Sequence, residues 1–418
     1  MEFVKKFWTK LRQIQWWQYW MPCVSMVFVT VLAMMVRTQS AETGVGAAHV
    51  HSYMTYMITI AAMVLVFSMW SIWKDANILG MICALAILLG VGGSYQFLFT
   101  TFTSFASSVA MGLVAGCVTF LVWRKMQVLN DTWFVIVILL ILGLLVSNLL
   151  WAEIEKNGAR IQVEILSTGK YIQPGEFVKV LLVPLCASSY RSRKRGIAYC
   201  LTALACCAVM LVCLDMGTLV MVFAMLLLAF YLLFDNRKMT LWIIVISFLL
   251  FIAAVYSFEH AKERILIWGK AMKPGGNSQQ HNNIRAVLFG GFFGLGLERA
   301  GLMTNIFAAK SDGALAGIMA VYGVPMLCIV NAAYAYLASM AAKNRSIHPS
   351  GYLTLAMVSM YVFSSVILNV GGSIDIIPFS GLCSSFISYG TNAMVCAGIL
   401  VGLAAAALHP IMKEPKEG

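Results

Sequence analysis

Residues 369–381 read Asn369-Val370-Gly371-Gly372-Ser373-Ile374-Asp375-Ile376-Ile377-Pro378-Phe379-Ser380-Gly381, and five residues on come Phe386-Ile387-Ser388-Tyr389-Gly390. The stretch lies between two long apolar runs. Glycines, small polar residues and a proline at such density break helices. Irregular backbone at bilayer depth must bond to protein or to water, so it normally lines a cavity. The stretch therefore predicts a helix broken around 369–390, beside a built site.

The composition around it excludes a soluble domain. Of 418 residues, 61% are hydrophobic and 11% charged, against about 25% charged in soluble domains. The net charge of +12 suggests nucleic acid only until the basic residues are placed. Arg124-Lys125, Arg191 to Arg195, Arg237-Lys238, Lys343 to Arg345 and Lys413 to Lys416 sit in short loops between apolar runs. That is the positive-inside pattern, with no continuous basic face for a polynucleotide. Membrane lipids are the expected surroundings, and nucleic acid is not an expected partner. The eleven cysteines lie mostly inside apolar runs and form no metal-binding spacing, so they read as small buried hydrophobes. His49 and His51 read as ordinary loop histidines, with nothing nearby to complete a metal site.

Windows of about 20 apolar residues predict an all-α polytopic membrane protein of about twelve transmembrane helices. They fall at 21–36, 54–73, 78–98, 106–123, 132–151, 176–189, 197–214, 216–234, 239–257, 313–340, 352–370 and 387–409. Residues 1–418 form one membrane domain. Within it, 1–20 is read as a cytoplasmic leader with no cleavable signal and 410–418 as a cytoplasmic tail, so both termini face the cytoplasm. Two outer loops, 152–175 and 258–312, exceed ordinary connection lengths, and long loops in compact proteins are commonly functional. The second contains Gly290-Gly291-Phe292-Phe293-Gly294-Leu295-Gly296, which predicts a re-entrant turn. It is no phosphate loop, since no Lys-Ser/Thr follows and no strand precedes it.

Ionisable residues near span ends are costly and mark candidate sites. Glu176 and Lys179 are three residues apart on one helical face and can pair, either as a structural ion pair or as part of a site. Asp215 breaks an apolar stretch as a helix N-cap would. Asp312 ends the long outer loop and immediately precedes a span. It suits either a cap or a general base at an outer cavity. Arg264 and Arg299 share its loop and fit either a bidentate grip on pyrophosphate or lipid headgroups.

In order along the chain, these segments resemble the SEDS (shape, elongation, division and sporulation) family of FtsW, RodA and SpoVE. Gly158-Ala159-Arg160 with Gln173-Pro174-Gly175-Glu176-Phe177-Val178-Lys179 is similar to the family's G-A-x-x-W … Q-P-S-E-x-x-K. Asp215-Met216-Gly217-Thr218 is similar to P-D-L-G-T, the run Gly290 to Gly296 to G-G-x-x-G-x-G, and Ser311-Asp312 to T-D-F. Asn369 to Gly390 is similar to N-I-G … P … G … F-I-S-Y-G.

The resemblance implies a peptidoglycan glycosyltransferase that polymerises lipid II at the outer face of the bacterial cytoplasmic membrane, with a class B penicillin-binding protein as partner. It implies Asp312 as catalytic base. Arg264, Lys179, Glu176, Arg160, Arg299, Ser388 and Tyr389 are implied on the substrate side, and Gly217, Gly290, Gly291, Pro378, Gly381 and Gly390 as structural. No cofactor or metal is assigned, and a divalent cation stays open. Departures lie at Gln162 for the family tryptophan, Gly313 for the phenylalanine, and Ala320-Val321 for a Glu-Glu pair. Lys310 stands at a histidine-like position, and Cys383 and Ser385 replace paired prolines. Two other readings remain: a flippase or transporter of lipid-linked precursors, and a weakly active scaffold of the division or elongation machinery.

Overall fold

The computed structural model describes residues 17–43, 47–71, 76–99, 101–154, 160–165, 171–257, 268, 279–296, 309–378 and 381–408. Arg264, Arg299, the tail and most of the leader lie outside the described residues.

A helix lies over each of the twelve apolar segments. They are α1 (Trp17–Thr43), α2 (Ala47–Ser71), α3 (Ala76–Gln96), α4 (Phe102–Met126), α5 (Asp131–Trp151), α6 (Pro174–Ser189), α7 (Arg193–Val212), α8 (Met216–Phe234), α9 (Arg237–Ser257), α11 (Ala314–Ala338), α13 (Pro349–Ser373) and α14 (Thr391–Ala407). Two short helices, α10 (Gln279–Gly290) and α12 (Met340–Lys343), complete the set among the described residues. Among the described residues, nine helices are long and apolar enough to cross a membrane, and α6 and α14 are shorter. The protein is a multi-pass membrane protein. His49 and His51 fall at the start of α2 rather than in a loop.

Local chemistry sets many of the ends. Asn130 accepts from Trp133 N to cap α5, Ser192 from Arg195 N to cap α7, and Asp215 from Thr218 N to cap α8, each satisfying an amide orphaned by the helix start. Pro174 and Pro349 begin α6 and α13, where a missing N–H costs nothing.

α3 forms the middle of the bundle: 83% of its span is buried, against 28% for α4 and for α5. Helices of the second kind keep apolar faces outward, as lipid contact allows. α4 and α14 make the tightest crossing. Gly112-Leu113-Val114-Ala115-Gly116 meets Gly398-Ile399-Leu400-Val401-Gly402 with backbones in direct contact. A Cβ on Gly398 would lie 1.9 Å from Gly112 O, and one on Gly402 2.3 Å from Gly116 O. Small residues four apart on both helices permit this approach.

The basic loops converge on one face. Arg195 donates to Leu129 O at 2.9 Å and pairs with Asp131. Ser350 Oγ donates to Gln127 O at 2.6 Å, and Asn77 to Asn344 at 2.9 Å. The opposite face carries the turns after α3 and α13 and the strap before α11.

Two features of that opposite face lie beyond the sequence pattern. First, the loop after α5 is no plain coil. Ala152–Ile154 (β1), Arg160–Glu164 (β2) and Tyr171–Ile172 (β3) form an antiparallel sheet of order β1-β2-β3, with Glu153 opposite Gln162 and Glu164 opposite Tyr171. Second, the helical break begins at Ile374, five residues after Asn369. Ile376 N donates to Gly371 O at 2.9 Å with Asp375 at φ 63°, a Schellman-type ending with aspartate in the left-handed position usually held by glycine.

The glycine run after α10 turns back against a break in α11. Gly323 has φ 80° and Pro325 follows. Pro325 has no N–H for Val321 O, and Val324 N leaves Ala320 O to donate to Phe292 O at 2.9 Å. The two released carbonyls are taken from outside the helix, Ala320 O by Leu295 N at 2.9 Å and Val321 O by Gly296 N at 3.0 Å. The freed amide of Val324 and both carbonyls thus find protein, as bilayer depth demands. Gly294, at φ 83°, could carry no side chain: its Cβ would fall 2.3 Å from Val321 O.

The α4–α14 crossing yields a stability prediction. Gly398→Val should lower stability by about 1–3 kcal/mol through overpacking, read as a reduced thermal-unfolding midpoint in detergent. Val401→Ala on the same helix should have a smaller effect.

Candidate functional site

The site grows from the strap 309–313, which leads into α11. Gly313, not Asp312, holds the N-cap position of α11, so the carboxylate of Asp312 is not spent as the cap. It turns instead to the segment after α13. Cys383 Sγ donates to Asp312 Oδ1 at 3.3 Å, and a Cβ on Gly381 would lie 3.7 Å from Oδ2. Gly381 has φ 66°, so the turn places bare backbone beside the acid.

Strap and turn are stitched along their length. Ser388 Oγ donates to Ser311 O at 2.6 Å and accepts from Ser384 N at 2.8 Å. Tyr389 N donates to Lys310 O at 2.8 Å, and Lys310 Nζ lies 5.7 Å from the centre of the Tyr389 ring. The end of α3 fastens both pieces from below. The fully buried Gln96 donates from Nε2 to Lys310 O at 2.8 Å and to Ile387 O at 3.1 Å. Tyr95 Oη donates to Ala309 O at 2.8 Å, lying where a side chain on Gly317 would otherwise be. Tyr95 and Gln96 carried no motif in the sequence. Their one signal is a lone amide ending a long apolar run.

A second polar cluster sits on α6. Lys179 Nζ and Glu176 Oε1 pair at 2.7 Å, with side chains 1% and 6% exposed. Lys179 also lies 5.5 Å from the centre of the Tyr361 ring. Asp215 comes next to Gly175. Burial pushes its carboxyl above the ordinary range, opposed by the bond from Thr218 N and by the Lys179 charge. Glu176 and Lys179 are therefore shut in against each other. Both charges are felt at Cys383.

Of the other candidates, Arg160 lies in β2, opposite Ile154, and Gly217 is buried in the first turn of α8. Gly290 packs on Ala320, where its Cβ would fall 2.6 Å from Cα. Gly291 takes φ 60° directly after α10. Pro378 closes the described part of the turn after α13, and Gly390 precedes α14 as its N-cap. No group of three metal-ligating side chains occurs among the described residues.

Below the turn runs an apolar groove of about 350 Å³ between α2, α3, α4 and α14. Val64, Leu85, Leu113 and Val401 line it, the four glycines of the α4–α14 crossing form its floor, and Phe386 stands at the site end. Phe386 adopts φ 68°, uncommon for a bulky residue. Its carbonyl rests on α3 where only glycine fits, since a Cβ on Gly92 would lie 2.6 Å away. Groove and Asp312 are thus joined through one short turn.

The family model described as cell cycle protein, FtsW/RodA/SpoVE, matches residues 69–411. The chain belongs to the FtsW/RodA/SpoVE family. Among curated relatives, the peptidoglycan glycosyltransferase RodA of Mycobacterium leprae (strain TN) is 26% identical over 62% of this chain and 61% of its own length. The probable peptidoglycan glycosyltransferase FtsW of Bacillus subtilis (strain 168) is 23% identical over 60% of this chain and 68% of its own. This SEDS chain thus spans about three fifths of the M. leprae relative it matches. RodA of Thermus thermophilus superposes with a TM-score of 0.52 at 16% identity, covering 78% of this chain and 95% of that one. A chain from a structure titled as coordination of polymerization and crosslinking by a peptidoglycan synthase complex gives 0.61 at 17% identity, over 78% and 96%. At these identities the likeness is one of fold.

The buried ion pair predicts non-additive energetics. Lys179→Met alone should cost about 3–5 kcal/mol, because it strands the Glu176 carboxylate. Adding Glu176→Gln should restore part of the loss, measured as a double-mutant cycle on thermal unfolding.

Proposed function

We propose that the protein is a peptidoglycan glycosyltransferase extending lipid II at the outer face of the bacterial cytoplasmic membrane, with Asp312 as general base. What supports this most is the placement of Asp312: not spent as a helix cap, fixed in a strap bonded on three sides, and one turn away from an apolar groove. Family membership supplies the reaction class. In this reading the 4-hydroxyl of the lipid II sugar gives its proton to the Asp312 carboxylate as its oxygen attacks the anomeric carbon of the growing strand. The bond from that carbon to the pyrophosphate breaks, and undecaprenyl pyrophosphate leaves. A positioned carboxylate base contributes on the order of 10²–10⁴-fold.

The leaving pyrophosphate needs positive charge. Lys310 lies on the strap, and Arg160, Arg264 and Arg299 are assigned this task through the family resemblance. A divalent cation travelling with the pyrophosphate is compatible with the same residues. The groove would take the near part of the polyprenyl chain, with Phe386 at the lipid–headgroup boundary. Glu176 and Lys179 serve as support behind the turn, and Ser388 and Tyr389 keep strap and turn in register. The face carrying the basic loops is assigned to the cytoplasm with both termini, and a class B penicillin-binding protein is the proposed partner for crosslinking.

The test is polymerisation of purified lipid II by the protein with its penicillin-binding partner. Asp312→Ala should reduce glycan synthesis by at least about 10²-fold, with an unchanged thermal-unfolding midpoint. Polymer made by that variant at the native rate would overturn the assignment. Translocation of lipid II across liposomes without polymerisation would replace it with the flippase reading. Full complementation of cells by Asp312→Asn would replace it with the scaffold.

A further inference from the structure

The carboxylate of Asp312 has a neighbour that the reaction above leaves unused. Cys383 Sγ donates to Oδ1 at 3.3 Å, from a position where the family pattern has a proline, whose side chain has nothing to donate. The thiol is itself held in place. Cys383 follows the left-handed Gly381 by two residues and precedes Ser384, whose N–H is fixed on Ser388 Oγ. Its sulfur also packs on Gly390 at the far end of the turn, 3.4 Å from where a Cβ would stand. Both ends of the turn therefore converge on this side chain.

We propose that Cys383 is a positioning residue for Asp312, its thiol holding Oδ1 and fixing the carboxylate's orientation toward the acceptor hydroxyl. The catalytic half of this statement rests on Asp312 being the base; the contact itself does not. A donor is useful only while it keeps its proton. Burial pushes the Cys383 thiol well above its ordinary range, and the Asp312 carboxylate and Glu176 push the same way, against Lys179. Among the described residues, Tyr361 on α13, Tyr334 on α11, whose hydroxyl donates to Ser385 O, Cys396 on α14, Tyr389 in the turn and Lys310 on the strap also face this region. The thiol therefore stays a donor at neutral pH, and it is a poor nucleophile for the same reason.

The experiment has two arms on the full-length protein in lipid nanodiscs. In the first, site-resolved mass spectrometry follows alkylation of Cys383 by iodoacetamide at pH 8. The native protein should label slowly. Asp312→Asn should label several-fold faster, because a neutral side chain no longer opposes the thiolate. Equal labelling rates would overturn the contact. In the second, lipid II polymerisation is compared among variants. Cys383→Ala should lose about tenfold in kcat with little change in KM, as expected when only orientation of the reacting group is lost, and Cys383→Ser should regain most of the rate. Native kcat in Cys383→Ala would overturn the positioning role while leaving Asp312 as base. If the native protein makes no polymer at all, the glycosyltransferase reading fails, and the labelling arm alone still decides the contact.

Discussion

Irregular backbone at one end of an apolar bundle can persist only if each of its polar groups finds a partner in the protein or in water. Here one set of hydrogen bonds pins the strap 309–313 to the turn 381–390 and both to the end of α3. Gln96 is the centre of the arrangement: one side-chain amide donates to Lys310 O and to Ile387 O. With Tyr95 on Ala309 O and Ser388 on Ser311 O, it ties the two connections into one frame. Asp312 stands in that frame. Its position is a result of main-chain bonding by its neighbours rather than of a motif of its own.

The same economy appears at the break in α11. Proline and a left-handed glycine free two carbonyls, and the glycine run 290–296 supplies the amides that take them. The departure at Ala320-Val321 fits this local geometry. Both side chains are buried, and Gly290 packs on the Ala320 backbone, so ionised glutamates in the observed side-chain positions would carry a desolvation cost. At the α4–α14 crossing, bare glycines do a different job, bringing two helices close enough to leave the groove beside them. Glycine thus sets turn, kink and groove alike, for three separate steric reasons.

Much of this was legible in the residues. Apolar runs located the helices because lipid imposes their length, and the cap at Asp215 followed from its place between two such runs. The break after α13 was legible only approximately. Gly371 and Gly372 look like the breakers, yet both stay helical and buried, and the turn begins where Asp375 adopts the left-handed conformation. The sheet in 152–172 escaped notice because its strands are three, five and two residues long, too short for alternation to register. Tyr95 and Gln96 escaped because their role depends on segments more than 200 residues away, which no local pattern encodes. The sequence leaves Asp312 open as cap or base, and the fold gives the cap position to Gly313.

The account rests on a single acid and an apolar groove serving one substrate. A cryo-electron microscopy structure of the protein with a non-hydrolysable lipid II analogue addresses this directly. The account predicts the polyprenyl chain between α2, α4 and α14 past Phe386, and the acceptor hydroxyl about 3 Å from the Asp312 carboxylate. Density for the lipid on another face of the bundle, with Asp312 remote from every sugar oxygen, would contradict it.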